Sequence, residues 1–218
     1  MTRFVVVLGT GRCGSSAVAG MLDRLGVHMG RPFAKREKTN PRGNFEDVGF
    51  NTLCRMAQAG MLSPEKLPEA FRVWFAKRVT AAEWRAKKNC ELAIFGVKSP
   101  RLCEYWEFLE PQIGIDTRLI AVDRPTGEVV ASFHNAYGIA AHDALAKIQR
   151  RRQVIDRVVD GWPENRPGPL RIGYDLVVNR PLTAAAMLAA HVFATPIETQ
   201  RHAADLVDRS LRNFGRVD

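Results

Sequence analysis

Residues 4–26 read FVVVLGTGRCGSSAVAGMLDRLG, and this stretch decides the fold. Residues 4–8 form an unbroken apolar run, which is typical of a strand buried on both faces of a parallel sheet. Three glycines follow within residues 9–14, and beyond them apolar side chains recur with the spacing of one helix face: Val18, Met21, Leu22 and Leu25. The sequence therefore predicts a strand, a glycine loop and a helix, the repeating unit of parallel α/β folds.

The rest of the chain alternates between short apolar runs and helical patterns. Further strands are predicted at residues 92–97, 119–122 and 170–173. Helices are predicted around and after them, at residues 48–59, 69–87, 100–109, 127–137, 143–162, 181–193 and 197–213. We therefore predict a single α/β domain over residues 1–218, with a P-loop-type parallel sheet flanked by helices.

Composition limits the classes of protein that need to be considered. Hydrophobic residues make up 46% of the chain and charged residues 25%, the usual mix of a globular domain. No apolar run approaches the roughly 18 residues that a membrane helix needs. The four cysteines form no C-x-x-C pair, so we expect ordinary thiols in a reducing, cytoplasmic compartment. The net charge of +9 predicts an acidic partner, whether nucleotide, sulfated or phosphorylated product, nucleic acid or anionic membrane.

The glycine loop, residues 9–16, has the features of an anion cradle. Its glycines let several backbone N–H groups converge, and the following helix adds the positive end of its dipole. Ser15 and Ser16 supply hydroxyl donors, and Arg12 supplies a planar cation suited to phosphate or sulfate oxygens. The segment lacks the lysine of G-x-x-x-x-G-K-[ST] and the acidic ribose ligand that accompanies G-x-G-x-x-G. The alternative is a glycine turn that only packs strand on helix.

Two more strand ends carry cations, and ligands of parallel sheets bind at such ends. Arg124 follows the third strand, and with Ser132 on the next helix it could hold one phosphate from two directions. Lys98 and Arg101 follow the second strand and suit a polyanionic ligand or a transferring anionic group. The alternatives are a surface salt bridge at Arg124 and a solvated helix start at Lys98.

Several other polar residues have two possible interpretations. The loop NPRGNFED, residues 40–47, is the candidate lid or substrate loop, in which Glu46 or Asp47 acts as a general base or caps the next helix. His28 and His134 lie near predicted site segments, although a lone histidine is more often structural. The run of three arginines at residues 150–152 is more often a solvated helix face than a binding patch.

These motifs resemble a known family. Residues 6–27, VVLGTGRCGSSAVAGMLDRLGV, resemble the 5′-phosphosulfate loop of PAPS-dependent sulfotransferases, particularly the small bacterial members. Later blocks are similar to successive blocks of that family: NPRGNFED, FGVKSPRL and DRPTGEVVAS. Towards the end of the chain, RIGYDLVVNRP resembles the family's Y-E-D-L-V strand, and DLVDRSLRNFG resembles its closing segment.

The resemblance implies a sulfotransferase-like fold and transfer of a sulfuryl group from 3′-phosphoadenylyl sulfate to a hydroxyl or amine. The acceptor would be a small molecule or a glycan, with no metal and no nucleic acid required. By the same resemblance Arg12 binds the 5′-phosphate and steadies charge on the leaving oxygen, and Lys98 contacts the sulfuryl group or the acceptor. Glu46 is the candidate base from its loop position. The residues expected to bind the donor are Gly11, Arg12, Cys13, Gly14, Ser15, Ser16, Arg124 and Ser132.

The sequence also departs from the family pattern. Cys13 stands where a serine is common, and the run from Gly173 to Asp175 fits Y-E-D imperfectly, which leaves adenine contact by Tyr174 open. A glycine- and lysine-rich cofactor segment is missing near the C-terminus, where arginines could substitute: Arg201, Arg209 or Arg212.

Two other classes of function remain open. A nucleotide-dependent kinase could use Asp123 to hold magnesium. A basic nucleic-acid-binding or nucleotide-sensing module is the non-enzymatic alternative, although only 8% of the residues are aromatic and no stacking platform is visible.

Overall fold

The structure, a computed structural model, describes residues 2–30, 43–89, 92–114, 116–193 and 203–205. In chain order its elements are β1 (Thr2–Leu8), α1 (Ser15–Arg24), α2 (Val48–Gln58), α3 (Leu67–Asn89), β2 (Ala93–Lys98), α4 (Trp106–Leu109), β3 (Thr117–Asp123), α5 (Thr126–Tyr137), α6 (Ala141–Asp160), β4 (Leu170–Gly173), α7 (Tyr174–Asn179) and α8 (Pro181–Val192). Short 3-10 helices lie at Pro64–Lys66, Pro100–Glu104 and Glu110–Gln112. In the part of the chain described, no helix is both long and apolar enough to cross a bilayer.

The four strands form one parallel sheet in the order β2-β1-β3-β4. The register brings the strand ends to one edge, because Val7 pairs with Lys98 and Leu8 with Ala121. Asp123, the last residue of β3, pairs with Gly173 at the end of β4. The predicted α/β parallel sheet is confirmed, and the segments that follow β1, β2, β3 and β4 share the edge where ligands bind in such sheets.

Helices cover both faces of the sheet, which explains the unbroken apolar run in β1. Val5 and Val7 belong to one core with α1, α5 and α8, whereas Phe4, Val6 and Leu8 belong to the other with α2 and α3. Helix α6 contributes to both cores: Ala144 and Ile148 are buried in the first, and Ile155 and Val158 in the second. A single helix therefore connects the two faces of the sheet.

The predicted elements differ from the structure in two places. The helix expected over residues 100–109 is instead a 3-10 helix, a break at Tyr105 (φ −127°) and the short helix α4. Residues 174–178, within the stretch that resembles the family's Y-E-D-L-V strand, belong to helix α7, because β4 ends where β3 ends and no other strand of the described residues continues the ladder. The predicted helix at residues 197–213 and the three C-terminal arginines lie outside the described residues.

Candidate functional site

The glycine loop joins β1 to α1 through left-handed backbone. Gly11 and Gly14 have φ values of 87° and 92°, and Arg12 lies between them at 58°, a conformation that side chains other than glycine rarely adopt. Gly14 is the N-cap residue of α1, and no side chain caps the helix there; the N–H group of Ala17 donates to the Gly14 carbonyl at 2.9 Å. This geometry suits an anion.

Side chains pack closely against the loop backbone. A Cβ atom at Gly14 would lie 2.3 Å from a ring carbon of Tyr174, and one at Gly11 would lie 3.2 Å from Nη1 of Arg151 and 3.3 Å from the ring of Phe133. Glycine is therefore required at position 14 by contact as well as by backbone conformation. These contacts fix the backbone conformation of the glycine loop.

Arg12, Arg124 and Ser132 form one cluster beside the loop. Nε of Arg12 donates to Oγ of Ser132 at 3.1 Å, and Nη1 of Arg124 donates to the carbonyl of Arg12 at 3.1 Å. Arg124 and Ser132 are both buried. Nε of Arg124 also donates to Glu128 at 2.9 Å, so the salt bridge considered as an alternative exists, but on a buried arginine. Arg124 and Ser132 stand eight residues apart in the sequence, and the structure brings both into contact with Arg12.

A cavity of about 400 Å³ opens at the ends of β3 and β4. Three arginines line it, Arg124, Arg152 and Arg171, together with the ring of Tyr174. The guanidinium of Arg124 lies 4.3 Å from the centre of that ring, a cation–π contact. Carboxylates on the wall partly balance the cations, since Arg171 pairs with Asp156 at 2.9 Å and with Asp123 at 3.4 Å. The cavity therefore combines an aromatic face with positive charge, beside the glycine loop.

Lys98 is the centre of a second, buried cluster. Its Nζ donates to Oγ of Ser16 at 2.9 Å, to Oε1 of Glu46 at 2.9 Å and to the carbonyl of Asn44 at 3.1 Å. Nδ2 of Asn51 donates to the other Glu46 oxygen at 2.7 Å. Lys98 thereby joins the end of β2, the glycine loop and the loop that precedes α2.

Glu46 is an ionised carboxylate in this cluster. Burial raises its pKa, but the charge of Lys98 and hydrogen bonds from Lys98 and Asn51 outweigh burial and lower the pKa below 4.5. Asp47 has a different role, because its Oδ1 accepts from the Phe50 amide at 2.7 Å and its Oδ2 lies 2.6 Å from Arg78. Of the two interpretations left open for this acidic pair, the helix cap is confirmed for Asp47.

Two arginines of the run at residues 150–152 support the site, and the solvated-face interpretation is wrong for them. Arg151 is buried, and its Nη1 donates to the carbonyl of Thr10 at 2.7 Å. Nη2 of Arg152 donates to the carbonyl of Arg124 at 2.5 Å. Only Arg150 is exposed. A signal was present in the sequence, because residue 151 follows Ile148 by three positions and therefore lies on the apolar face of α6.

The remaining candidates lie elsewhere or serve local structure. Cys13 is buried beneath the loop, where its sulfur would be 2.5 Å from a Cβ at Gly9. Nδ1 of His28 accepts from the Gly30 amide at 3.1 Å, and Nδ1 of His134 lies 3.2 Å from the carbonyl of Ile139. Among the described residues, no group of three or more histidine, cysteine or acidic side chains could hold a metal ion.

The sequence matches no protein-family model and no curated protein. The structure is similar to the crystal structure of sulfotransferase STF1 from Mycobacterium tuberculosis H37Rv, with a TM-score of 0.54 and 17% sequence identity. The match covers 100% of this chain and 74% of that one. At this identity the similarity establishes the fold: a sulfotransferase-like α/β architecture, as the sequence predicted.

Proposed function

We propose that the protein is a sulfotransferase that moves a sulfuryl group from 3′-phosphoadenylyl sulfate to a hydroxyl or amine of a small-molecule or glycan acceptor. The observation that carries the proposal is the contact of Arg12 with both Ser132 and Arg124 at the edge of a sulfotransferase-like sheet. These are the residues that the sequence resemblance assigned to the donor. The proposal includes a cytoplasmic location, one domain over residues 1–218 and no nucleic-acid partner.

The donor would lie across the ends of β1, β3 and β4. The N–H groups and hydroxyls of residues 11–16 would hold its 5′-phosphosulfate. Arg124 and Ser132 would hold its 3′-phosphate, and the cavity is large enough for the nucleoside, since ligand sites span about 300–1,000 Å³. The ring of Tyr174 offers a stacking face for adenine.

In the transfer, the acceptor oxygen or nitrogen attacks the sulfur while the bond between sulfur and the bridging phosphate oxygen breaks. Negative charge grows on the leaving phosphate, where Arg12 and the loop N–H groups would stabilise it, while Lys98 would contact the sulfuryl group or the acceptor. The acceptor proton would pass to Glu46, which is ionised at neutral pH. Catalysis in this scheme is mainly positioning and charge stabilisation, as in phosphoryl transfer.

Calorimetric titration with adenosine 3′,5′-bisphosphate, the spent donor, tests the proposal, with Mg²⁺-ATP as the comparison. We expect the bisphosphate to bind the wild type more tightly than Mg²⁺-ATP. Arg124→Ala should weaken bisphosphate binding, and Arg12→Ala should nearly abolish turnover in a screen with radiolabelled donor. Arg150→Ala removes an exposed arginine and should match the wild type in both assays.

The same titration separates the alternatives. A preference for Mg²⁺-ATP would favour the kinase, with Asp123 as the magnesium ligand. Binding of neither nucleotide, together with salt-dependent binding of DNA or RNA, would favour the nucleic-acid module. Wild-type kinetics in Arg12→Ala or wild-type binding in Arg124→Ala would contradict the assigned site.

A further inference from the structure

Helix α6 and the 3-10 helix Pro100–Glu104 are joined by an ion pair. Nε and Nη2 of Arg151 lie 3.1 Å and 2.5 Å from Oε1 of Glu104. Side chains three apart on a 3-10 helix eclipse, so Arg101 lies one turn from Glu104 on the same side. Lys147 likewise lies one turn before Arg151 on α6. The two helices therefore bring Arg101 and Lys147 towards each other next to the ion pair.

This cationic cluster, Arg101, Lys147 and Arg151, carries more positive charge than its surroundings neutralise. Among the residues that the structure describes, its acidic contact is Glu104, whose other oxygen, Oε2, accepts from Nε2 of Gln58 at 3.0 Å. Within the described ranges, the side chains of Arg101 and Lys147 have no hydrogen-bond or ion-pair partner. Burial lowers the pKa of Lys147, and the charges of Arg151, Arg101 and Arg150 lower it further, while the charge of Glu104 opposes them. Nothing in the described fold requires this accumulation of charge.

Arg101 enters the cluster from the β2 side of the glycine loop, whereas the donor cavity lies at the ends of β3 and β4. Pro100, next to Arg101, would be 3.4 Å from a Cβ at Gly11, so the 3-10 helix begins against the loop. The charge of Arg101 also contributes to the low pKa of Glu46, the proposed base. The cavity lies across the loop at the ends of β3 and β4, whereas Lys98 and the 3-10 helix follow β2 at the opposite side of the sheet. An acceptor that reacts beside Glu46 would thus extend towards the cluster.

We propose that the acceptor carries an anionic group, a carboxylate, sulfate or phosphate ester, which binds Arg101 and Lys147 while its hydroxyl or amine lies beside Glu46. The inference rests on the proposed sulfotransferase function and narrows its acceptor to anionic molecules. Arg151 would not bind the anionic group directly, because its guanidinium already binds Glu104 and the carbonyl of Thr10. Its role is to fix the position of α6 against the loop.

The first test titrates inorganic sulfate by calorimetry at a saturating concentration of adenosine 3′,5′-bisphosphate. We expect sulfate to bind the wild type and to bind the double variant Arg101→Gln/Lys147→Gln at least tenfold more weakly. Lys77→Gln, which removes an exposed lysine on α3, should match the wild type. Far-UV circular dichroism of each variant checks the fold. No sulfate binding to the wild type, or equal binding by the double variant, would overturn the proposal.

A second measurement tests whether Arg101 and Lys147 bind the donor rather than the acceptor. Titration of the bisphosphate alone should give the double variant the same affinity as the wild type within about a factor of two, because the donor contacts proposed above do not include Arg101 or Lys147. A tenfold loss would assign the cluster to the donor and overturn an acceptor role.

A pair of sugars that differ in charge tests whether the acceptor site prefers an anion. Glucose 6-phosphate and glucose differ only in an anionic group, and we expect the phosphorylated sugar to bind the bisphosphate-saturated wild type more tightly than glucose does. The difference should disappear in the double variant; no preference in the wild type would count against the proposal. If the bisphosphate does not bind at all, the sulfotransferase proposal fails, while the sulfate titration without nucleotide still reports on the cluster.

Discussion

Nζ of Lys98 lies 2.9 Å from Oε1 of Glu46, and the two side chains are only 3% and 12% exposed. A buried ion pair of this kind adds little net stability, because removing two charges from water offsets much of their attraction. Its importance lies in what happens when one partner is lost. The remaining charge is then buried without compensation, in the loop region that joins the proposed donor and acceptor sites.

Replacement of Lys98 by methionine should destabilise the protein by about 3–5 kcal/mol, because it leaves the Glu46 carboxylate buried and unpaired. The double variant Lys98→Met/Glu46→Gln should lose less than the sum of the single variants, since it removes both charges. Urea unfolding of the four proteins measures the coupling. Lys77→Met, on an exposed lysine, should change stability by less than about 0.5 kcal/mol. A cost for Lys98→Met no larger than that of Lys77→Met would contradict the prediction.

Stability should fall below about pH 4.5 partly through Glu46. Its pKa in the folded protein is lowered from 4.5, so its contribution is present above that value and is lost as the pH drops through the folded pKa. Urea unfolding between pH 3 and 7 should show a shallower acid loss in Glu46→Gln than in the wild type. Glu164→Gln, on an exposed glutamate between α6 and β4, is the control. Parallel pH profiles for the wild type and Glu46→Gln would rule out this contribution.

An alanine at position 14 should disrupt the glycine loop. Its Cβ would overlap the Tyr174 ring, and the left-handed backbone alone costs about 1–3 kcal/mol for a residue other than glycine. We expect lower thermal stability and at least a tenfold loss of bisphosphate binding. Gly127→Ala in α5 adds the same methyl group into open space and should bind as the wild type does. Normal binding by Gly14→Ala would show that the loop tolerates rearrangement.

Arg151→Met should destabilise the protein by about 1.5–3 kcal/mol, the usual worth of a hydrogen bond from a charged group, because it breaks the contact to the Thr10 carbonyl. Arg150→Met provides the matched control one residue away, on the exposed side of the helix, and should be close to neutral. Chemical unfolding compares the two. Equal effects of the two substitutions would mean that α6 does not support the loop.

The sheet could be predicted from the sequence because its signals are local. An apolar run such as residues 4–8, followed by glycines and a helical stripe, specifies a buried parallel strand and its crossover without knowledge of its neighbours. The type of helix after β2 was harder to predict, because proline is accepted at the start of an α-helix and of a 3-10 helix alike, as at Pro100. The secondary structure of residues 174–178 was predicted wrongly for a different reason. Their apolar side chains suit a strand or a helix, and the choice of a helix depends on the end of the β3–β4 ladder at Gly173.

The candidate site was predictable to the extent that its residues follow strands. Lys98 and Arg124 could be found because Lys98 ends the second apolar run and Arg124 follows the third by one residue, Asp123. The residues that support the site could not be found in this way: Asn51 binds Glu46, and Arg151 binds Glu104 and the Thr10 carbonyl, through packing of distant parts of the chain. The spacing of Arg151 indicated burial, but no local pattern identified the carbonyl that it would bind.

Consecutive arginines of α6 hold two different strand ends. Arg151 binds the carbonyl of Thr10 after β1, and Arg152 binds the carbonyl of Arg124 after β3. Helix α6 thus links the two loops, which cannot separate without breaking one of these hydrogen bonds. Any widening of the cleft to admit the proposed donor must come from side chains or from segments outside these contacts, so the backbone of the proposed donor site is already formed before a ligand arrives.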